Sequence, residues 1–227
     1  MKNIIVTGAS RGIGYYTALQ FAKEGHQVLA VARSKDHLEA LKSENEAKGN
    51  IKTLVLDLSS DYNIEQITSV FAKVDVLINN AGALVNKSFS EITQVEMQEV
   101  YQTNVFAPYF LVQKLLPNFS SDAHIINIGS VGGVNGTLKF PGLSIYSSSK
   151  AAASCLSECW QAEFAETDLT FNSLALGSVQ TEMLEQAFPG YKAPLSPEQM
   201  AAYVCRFALN EAEFVRGKTV VVSRTNP

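Results

Sequence analysis

Three side chains in this sequence have the types and spacing to move a proton on and off a carbonyl oxygen: Ser130, Tyr146 and Lys150. Tyr146 and Lys150 bracket the run "YSSSK", and on a helix two residues four apart share one face. An unperturbed phenol ionises near ~10, too high for efficient proton exchange near neutrality. A neighbouring ammonium stabilises the phenolate and lowers that value. Ser130 closes the run "INIGS", sixteen residues before Tyr146, and a hydroxyl there can bind and polarise the oxygen. The chemistry that fits is proton delivery to a carbonyl, which needs a hydride donor held beside it.

A site for such a donor is written near the start of the chain. "TGASRGIG" places glycines at 8, 12 and 14 between a strand-like run and a helical pattern. Gly8 permits a sharp turn. Gly12 and Gly14, without Cβ atoms, would let a pyrophosphate approach backbone N–H groups at a helix N-terminus. The second strand-like run ends on Arg33, where an acid would hold a ribose 2′-hydroxyl and an arginine suits a 2′-phosphate. Arg11, inside the turn, is a second cation for that phosphate, and the nearest acid, Asp36, comes only in the following helical turn. NADP(H) is therefore expected in preference to NAD(H).

The elements that must position these groups alternate. Short β-branched runs ("NIIVTG", "QVLAVAR", "KTLVLDL", "VDVLINNAG", "HIINIGS", "LTFNSLALG", "KTVVVS") are separated by helical periodicity near 12–24, 35–48, 61–72, 91–117, 146–166 and 197–210. Continuous apolar strands with helix-length connections predict an α/β fold, a doubly wound Rossmann-type parallel sheet of about seven strands with helices on both faces. With 227 residues and no linker or repeat, one dinucleotide-binding catalytic domain over 1–227 is expected. In such sheets ligands sit beyond the carboxyl ends of the strands. The segments 83–90, 131–145 and 182–196 are then expected to line the substrate pocket, with Phe140, Leu143 and Phe188 as apolar contacts.

A net charge of −4 and a pI near 5.4 leave no broad basic field for nucleic acid or an anionic membrane, and no stretch approaches the ~20 apolar residues of a membrane span. The first residues enter a strand-like run at once, so no signal peptide is expected. Cys155, Cys159 and Cys205 have neither metal-ligand spacing nor an even count, so no metal and a reduced, cytoplasmic setting are expected. Cys155 and Cys159, four apart, read as helix packing, and His26, His37 and His124 as structural or surface residues.

The ordered set "TGASRGIG", "DL" (57–58), "NNAG" (79–82), Asn104, "INIGS", "YSSSK" and "LGSVQTEM" (176–183) resembles the short-chain dehydrogenase/reductase family in its single-domain form and spans nearly the whole chain. The resemblance implies that Ser130, Tyr146, Lys150 and Asn104 are the catalytic set. It implies that Ser10 and Ile13, with Arg11 and the glycines of the turn, border the cofactor, and that Asp57 and Leu58 border its adenine. Asn80, Ala81 and Gly82 would lie along the cofactor, Gly177, Val179 and Thr181 would close over the nicotinamide, and Lys150 would also bond its ribose. A water linking Lys150 to solvent is implied at Asn104. Pro108, four residues later, has no N–H to give the 104 carbonyl, which either holds that relay site open or makes an ordinary proline kink. Helices 91–117 and 146–166 would pair between subunits of a homodimer or homotetramer, and Trp160 is a packing or interface residue.

The sequence departs from the family in three places. Leu176 stands where proline is usual, the serine lies sixteen and not thirteen residues before the tyrosine, and the segment after Thr181 is short. Counting thirteen back reaches Gly133, which has no side chain, so the extra residues belong in the glycine-rich loop. The function expected is NADPH-dependent, reversible reduction of a ketone or aldehyde, with a small-molecule carbonyl or alcohol as partner. A non-catalytic NADP-binding sensor or scaffold is the alternative from another class, and epimerisation or dehydration with transient hydride transfer is a third.

Overall fold

Seven strands form one sheet in the order β3-β2-β1-β4-β5-β6-β7 in a computed structural model that describes residues 1–44, 50–59 and 65–224. The strands are β1 (Asn3–Thr7), β2 (Gln27–Ala32), β3 (Ile51–Val55), β4 (Val74–Asn79), β5 (Phe119–Ser130), β6 (Thr170–Leu176) and β7 (Thr219–Val222). Every neighbouring pair is parallel. The strand order reverses between β1 and β4, which opens a crevice at their carboxyl ends. The expected α/β fold, doubly wound and Rossmann-type, is the one observed.

The near-continuous apolar runs follow from burial on both faces. Along β1, Ile4 and Val6 enter one core and Ile5 the other, as a side-chain period of two requires. The first core is closed by Phe21 of α1 (Gly12–Lys23) and by Val204 and Phe207 of α8 (Pro197–Asn210). The second is closed by Leu111 and Leu115 of α5 (Ala107–Leu115) and Trp160 of α6 (Ser144–Glu163). Ser196 and Gln199 make a reciprocal capping box ahead of Pro197 and fix the start of α8.

Several boundaries differ from the expectations. The helix expected at 35–48 is α2 (Lys35–Lys42), and 45–48 lie outside the described residues. Of 61–72, α3 occupies Glu65–Thr68, and 61–64 are likewise outside them. The helix expected at 91–117 is two: α4 (Gln94–Tyr101) and α5, joined by one wider π-type turn over Gln102–Phe106. There the N–H of Ala107 donates to the carbonyl of Gln102. The cause is Pro108: an α-type ladder would send the 104 carbonyl to it and a π-type ladder the 103 carbonyl, and it has no N–H for either. A short α7 (Glu182–Ala187), capped by Thr181, was not expected; six residues are too few for periodicity to register.

Cys155 and Cys159 are exposed, contrary to the packing role expected, and Cys205 is buried. The side of α6 turned to the protein carries Ser149, Ala153, Ser157 and Trp160, leaving the 155/159 stripe outside. Trp160 packs against Phe171, with ring centroids 5.9 Å apart.

His124, 2% exposed, sits within a polar seam under β5 and β6. Its Nδ1 lies 3.0 Å from the Ala208 carbonyl, so it carries the hydrogen, and its Nε2 accepts from the Asn172 amide at 3.0 Å. Burial pushes the imidazole down to about 4, against a smaller upward pull from the Ala208 carbonyl. The unfolded chain therefore binds a proton below about 6.5 that the folded chain refuses until about 4. Stability from this group is complete above 6.5 and falls by about 2 kcal/mol between pH 7 and 5. Histidine-ring NMR should show His124 neutral at pH 5 while the urea midpoint drops; a ring titrating near 6.5 contradicts this.

Candidate active site

A cleft of about 640 Å³ opens at the carboxyl ends of the strands. Gly8, Ser10, Arg11 and Ile13 line it after β1, Arg33 after β2, and Asp57 and Leu58 after β3. Asn80, Ala81 and Gly82 line it after β4, Ser130 after β5, and Gly177, Val179 and Thr181 after β6. Tyr146 and Lys150 face it from α6. Gly12, Gly14 and Asn104 are the three expected residues that do not line it.

The glycine turn fits a dinucleotide phosphate, although its glycines divide the labour differently from the sequence reading. Gly8 has φ +66°, and a Cβ there would come 2.7 Å from the Ala81 Cα. At Gly14 the place of a Cβ is taken by the Asn80 amide and the Gly8 carbonyl. These two glycines thus let the turn pack onto the loop after β4, not onto a ligand. The residue left for the anion is the open helix end: Arg11 caps α1 with extended backbone and no side-chain bond, and the first turn holds no acid, so the N–H groups and the dipole favour a negative group. Thr7, which sequence reasoning missed, fixes the facing loop, its hydroxyl oxygen accepting from the N–H groups of Asn80 and Ala81 at 3.0 Å each.

At the far end the partial burial of the Asp57 carboxyl raises its pKa, but bonds from the Ser59 hydroxyl and N–H and the charge of Arg33 outweigh that and hold it below the usual carboxylate range. His37 also lines this end of the cleft. It was expected to be structural or surface; one helical turn beyond Arg33, it faces the same space.

The proton-transfer groups converge on the other side. Lys150 is 6% exposed, donates to the Ile128 carbonyl at 2.8 Å and lies 5.9 Å from the centre of the Tyr146 ring. Burial lowers the lysine to about 8, so it keeps its charge at neutral pH. Tyr146 does not behave as the sequence reading expected. Burial pushes its pKa up, with the Ser130 hydroxyl pulling the other way, while the Lys150 ammonium donates to Ile128 and lies 5.9 Å from the ring centre. The Ser130 oxygen accepts from the Gly132 N–H at 3.2 Å, which leaves its hydrogen for the phenol oxygen. Gly133, the alternative position, packs flat on α6: a Cβ would come 2.7 Å from the Ala151 nitrogen. Ser144 is exposed at the helix start and does not line the cleft.

Asn104 is buried behind this wall. Its side-chain oxygen accepts from the Ala83 N–H at 2.8 Å, and its amide donates to the Ala83 carbonyl and to Ser149, each at 2.9 Å. Ser149 in turn donates to the Tyr146 carbonyl at 2.7 Å. Asn104 and Ser149 therefore tie the loop after β4 to the turn of α6 that carries the tyrosine, a role visible only once the fold brings 83, 104 and 149 together. Leu176, in place of the usual proline, ends β6 in register with both Ser130 and Val222. Gly177 then donates to the Val222 carbonyl at 2.9 Å.

The family model for short chain dehydrogenases matches residues 2–192. Among curated proteins the chain is similar to 3-oxoacyl-(acyl-carrier-protein) reductases from Staphylococcus aureus, at 31% identity over 98% of this chain and 96% of the relative. The corresponding reductase of Thermotoga maritima is 28% identical over 96% and 95%. Among solved structures, a 3-ketoacyl-(acyl-carrier-protein) reductase from Brucella melitensis complexed with NADH superposes with a TM-score of 0.87 at 25% identity, covering 97% of this chain and 96% of that one. A short chain dehydrogenase from Burkholderia cenocepacia in complex with NADP gives 0.87 at 23% identity over 98% and 96%, and shows the fold alone. The chain belongs to the short-chain dehydrogenase/reductase family, a family of nicotinamide-dependent oxidoreductases. Among the described residues no helix is long and apolar enough to cross a membrane.

Proposed function

We propose that this protein is an NADPH-dependent reductase of ketones or aldehydes, working reversibly as an alcohol dehydrogenase. The observation that carries the reading is the convergence of Ser130, Tyr146 and Lys150 on one wall of the cleft whose other end holds the glycine turn and Arg33. When bound, the nicotinamide supplies the hydride. Ser130 and Tyr146 receive the carbonyl oxygen, the phenol gives it a proton, and the Lys150 ammonium favours the phenolate that remains. Arg33, Arg11, Ser10 and Ile13 would hold the adenosine phosphates, and Asp57 and Leu58 the adenine. Gly177, Val179 and Thr181 would flank the nicotinamide.

The substrate is proposed to be a small-molecule carbonyl or alcohol, the setting cytoplasmic and the assembly a homodimer or homotetramer through the α4–α5 and α6 surfaces. Exposed Phe106, Tyr109 and Phe110 support that surface. A non-catalytic sensor has no use for the three converging groups.

Screening carbonyl compounds by loss of NADPH absorbance tests the activity; no oxidation with any of them counts against it. For the cofactor, each charge-assisted contact to the 2′-phosphate contributes ~1.5–3 kcal/mol, so NADPH is expected to bind roughly ten- to a hundredfold more tightly than NADH. Arg33→Asp should abolish that preference; equal wild-type affinities, or a preference that survives the substitution, would sink the assignment.

A further inference from the structure

The substrate side of the cleft is made by three segments far apart in sequence: the loop after β4, the loop between Ser130 and α6, and α7 with the turn that follows. One side chain touches all three. Asn86, in the first, donates its amide hydrogen to the Ala187 carbonyl at 2.7 Å. Its amide oxygen occupies the place where a Cβ on Gly142 would sit, and Gly142 has φ +85°, a conformation that leaves this approach open. The N–H of Lys87 reinforces the contact by donating to the Gly142 carbonyl at 3.1 Å.

What these contacts position is an aromatic pair. The Ala187 carbonyl belongs to the peptide leading into Phe188, so the bond from Asn86 fixes where that ring leaves α7. Gly142 lies two residues past Phe140 and two before α6, the helix that carries Tyr146. Phe140 and Phe188 meet edge to face, ring centroids 6.3 Å apart, and both line the cleft. Phe140 is 46% exposed, and α7 has only six residues, too few to be stable alone. Each ring's own segment is held locally, α7 by its Thr181 cap and the Phe140 turn by the Leu143 N–H donating to the Phe140 carbonyl, and the contacts of Asn86 tie the two segments to each other.

We propose that Asn86 is a positioning residue for substrate selection, holding Phe140 and Phe188 as one edge-to-face aromatic wall of the cleft, against which a planar apolar group next to the carbonyl lies. The inference rests on the reductase reading. Aryl ketones are then preferred to small aliphatic ones, because an aromatic group can stack on that wall and a methyl group covers little of it.

The test compares 1-phenyl-1,2-propanedione with 2,3-butanedione, using NADPH and the full chain. The wild type should show a kcat/KM at least about tenfold higher for the phenyl compound, within the range that apolar pocket contacts supply. Asn86→Ala should raise KM for the phenyl compound by about tenfold, with kcat, the butanedione constants and the thermal midpoint unchanged. Asn86→Asp, which keeps the shape and cannot donate to Ala187, should do the same. In a Phe188→Ala background the Asn86→Ala effect on KM should disappear, because the asparagine acts through that ring. Equal wild-type constants for the two diketones, equal loss of kcat on both, or additive KM effects would overturn the proposal. Failure of the reductase reading is a separate result: no NADPH oxidation with any carbonyl compound. Binding to the NADPH complex, followed by cofactor fluorescence, then still decides the role of the aromatic wall. Tighter binding of the phenyl compound, weakened by Asn86→Ala, supports it, and no difference overturns it.

Discussion

Tyr146→Phe is expected to lower turnover of a validated carbonyl substrate by about 10²–10⁴-fold, the contribution of a general acid, with fold and cofactor affinity largely kept. The phenol oxygen is the one atom removed, and it meets only Ser130 among the bonds that shift its ionisation. The helix around it is held by other groups: Ser149 bonds the Tyr146 carbonyl and Lys150 bonds Ile128. Lys150→Ala should instead damage both turnover and cofactor binding, since in the proposed reading one ammonium would serve both phenolate and ribose. Comparing kcat with the NADPH dissociation constant in the two variants separates these outcomes. Full activity in Tyr146→Phe would mean that the proton comes from elsewhere.

The second large effect is expected at Ser130. Removing one donor to a developing oxyanion costs about 10²–10³-fold in turnover, so Ser130→Ala should fall by that factor with the same ketone, and Ser144→Ala should stay near wild type. Ser130 ends β5, where pairing with Leu176 of β6 fixes its place, and its hydroxyl is the neighbour that holds the phenol's pKa down against burial. Ser144, nearer in sequence, is exposed. A larger fall in kcat for Ser144→Ala would show that the serine has been placed wrongly.

The architecture was legible because strand burial on both faces writes itself as unbroken apolar runs, and the helix at 197–210 because its helical periodicity runs the length of the element. The site's ends were legible for a related reason: in a parallel sheet the residues that follow each strand must face the crevice. What could not be read were the contacts between those ends. The use of Gly14 as a seat for Asn80, the tie from Asn104 through Ser149 to Tyr146, and the bridge from Asn86 to Ala187 join residues 21 to 101 positions apart. No periodicity carries that information. The tyrosine's surroundings were hidden for the same reason: helical spacing puts Lys150 on the correct face, but does not reveal the bond its ammonium gives the Ile128 carbonyl of β5. The wide turn at 102–106 was half visible, since Pro108 announces a missing N–H without saying how the helix accommodates it.

The most direct measurement is the fate of the hydride. NADPH carrying deuterium at both C4 positions is incubated with the protein and a ketone, and the alcohol is isolated and examined by mass spectrometry and NMR. One deuterium on the carbinol carbon is expected, with the yield falling about 10²–10⁴-fold in Tyr146→Phe. Alcohol formed without deuterium at that carbon, or no alcohol at all from a protein that binds NADPH, would contradict the assignment of this cleft to carbonyl reduction.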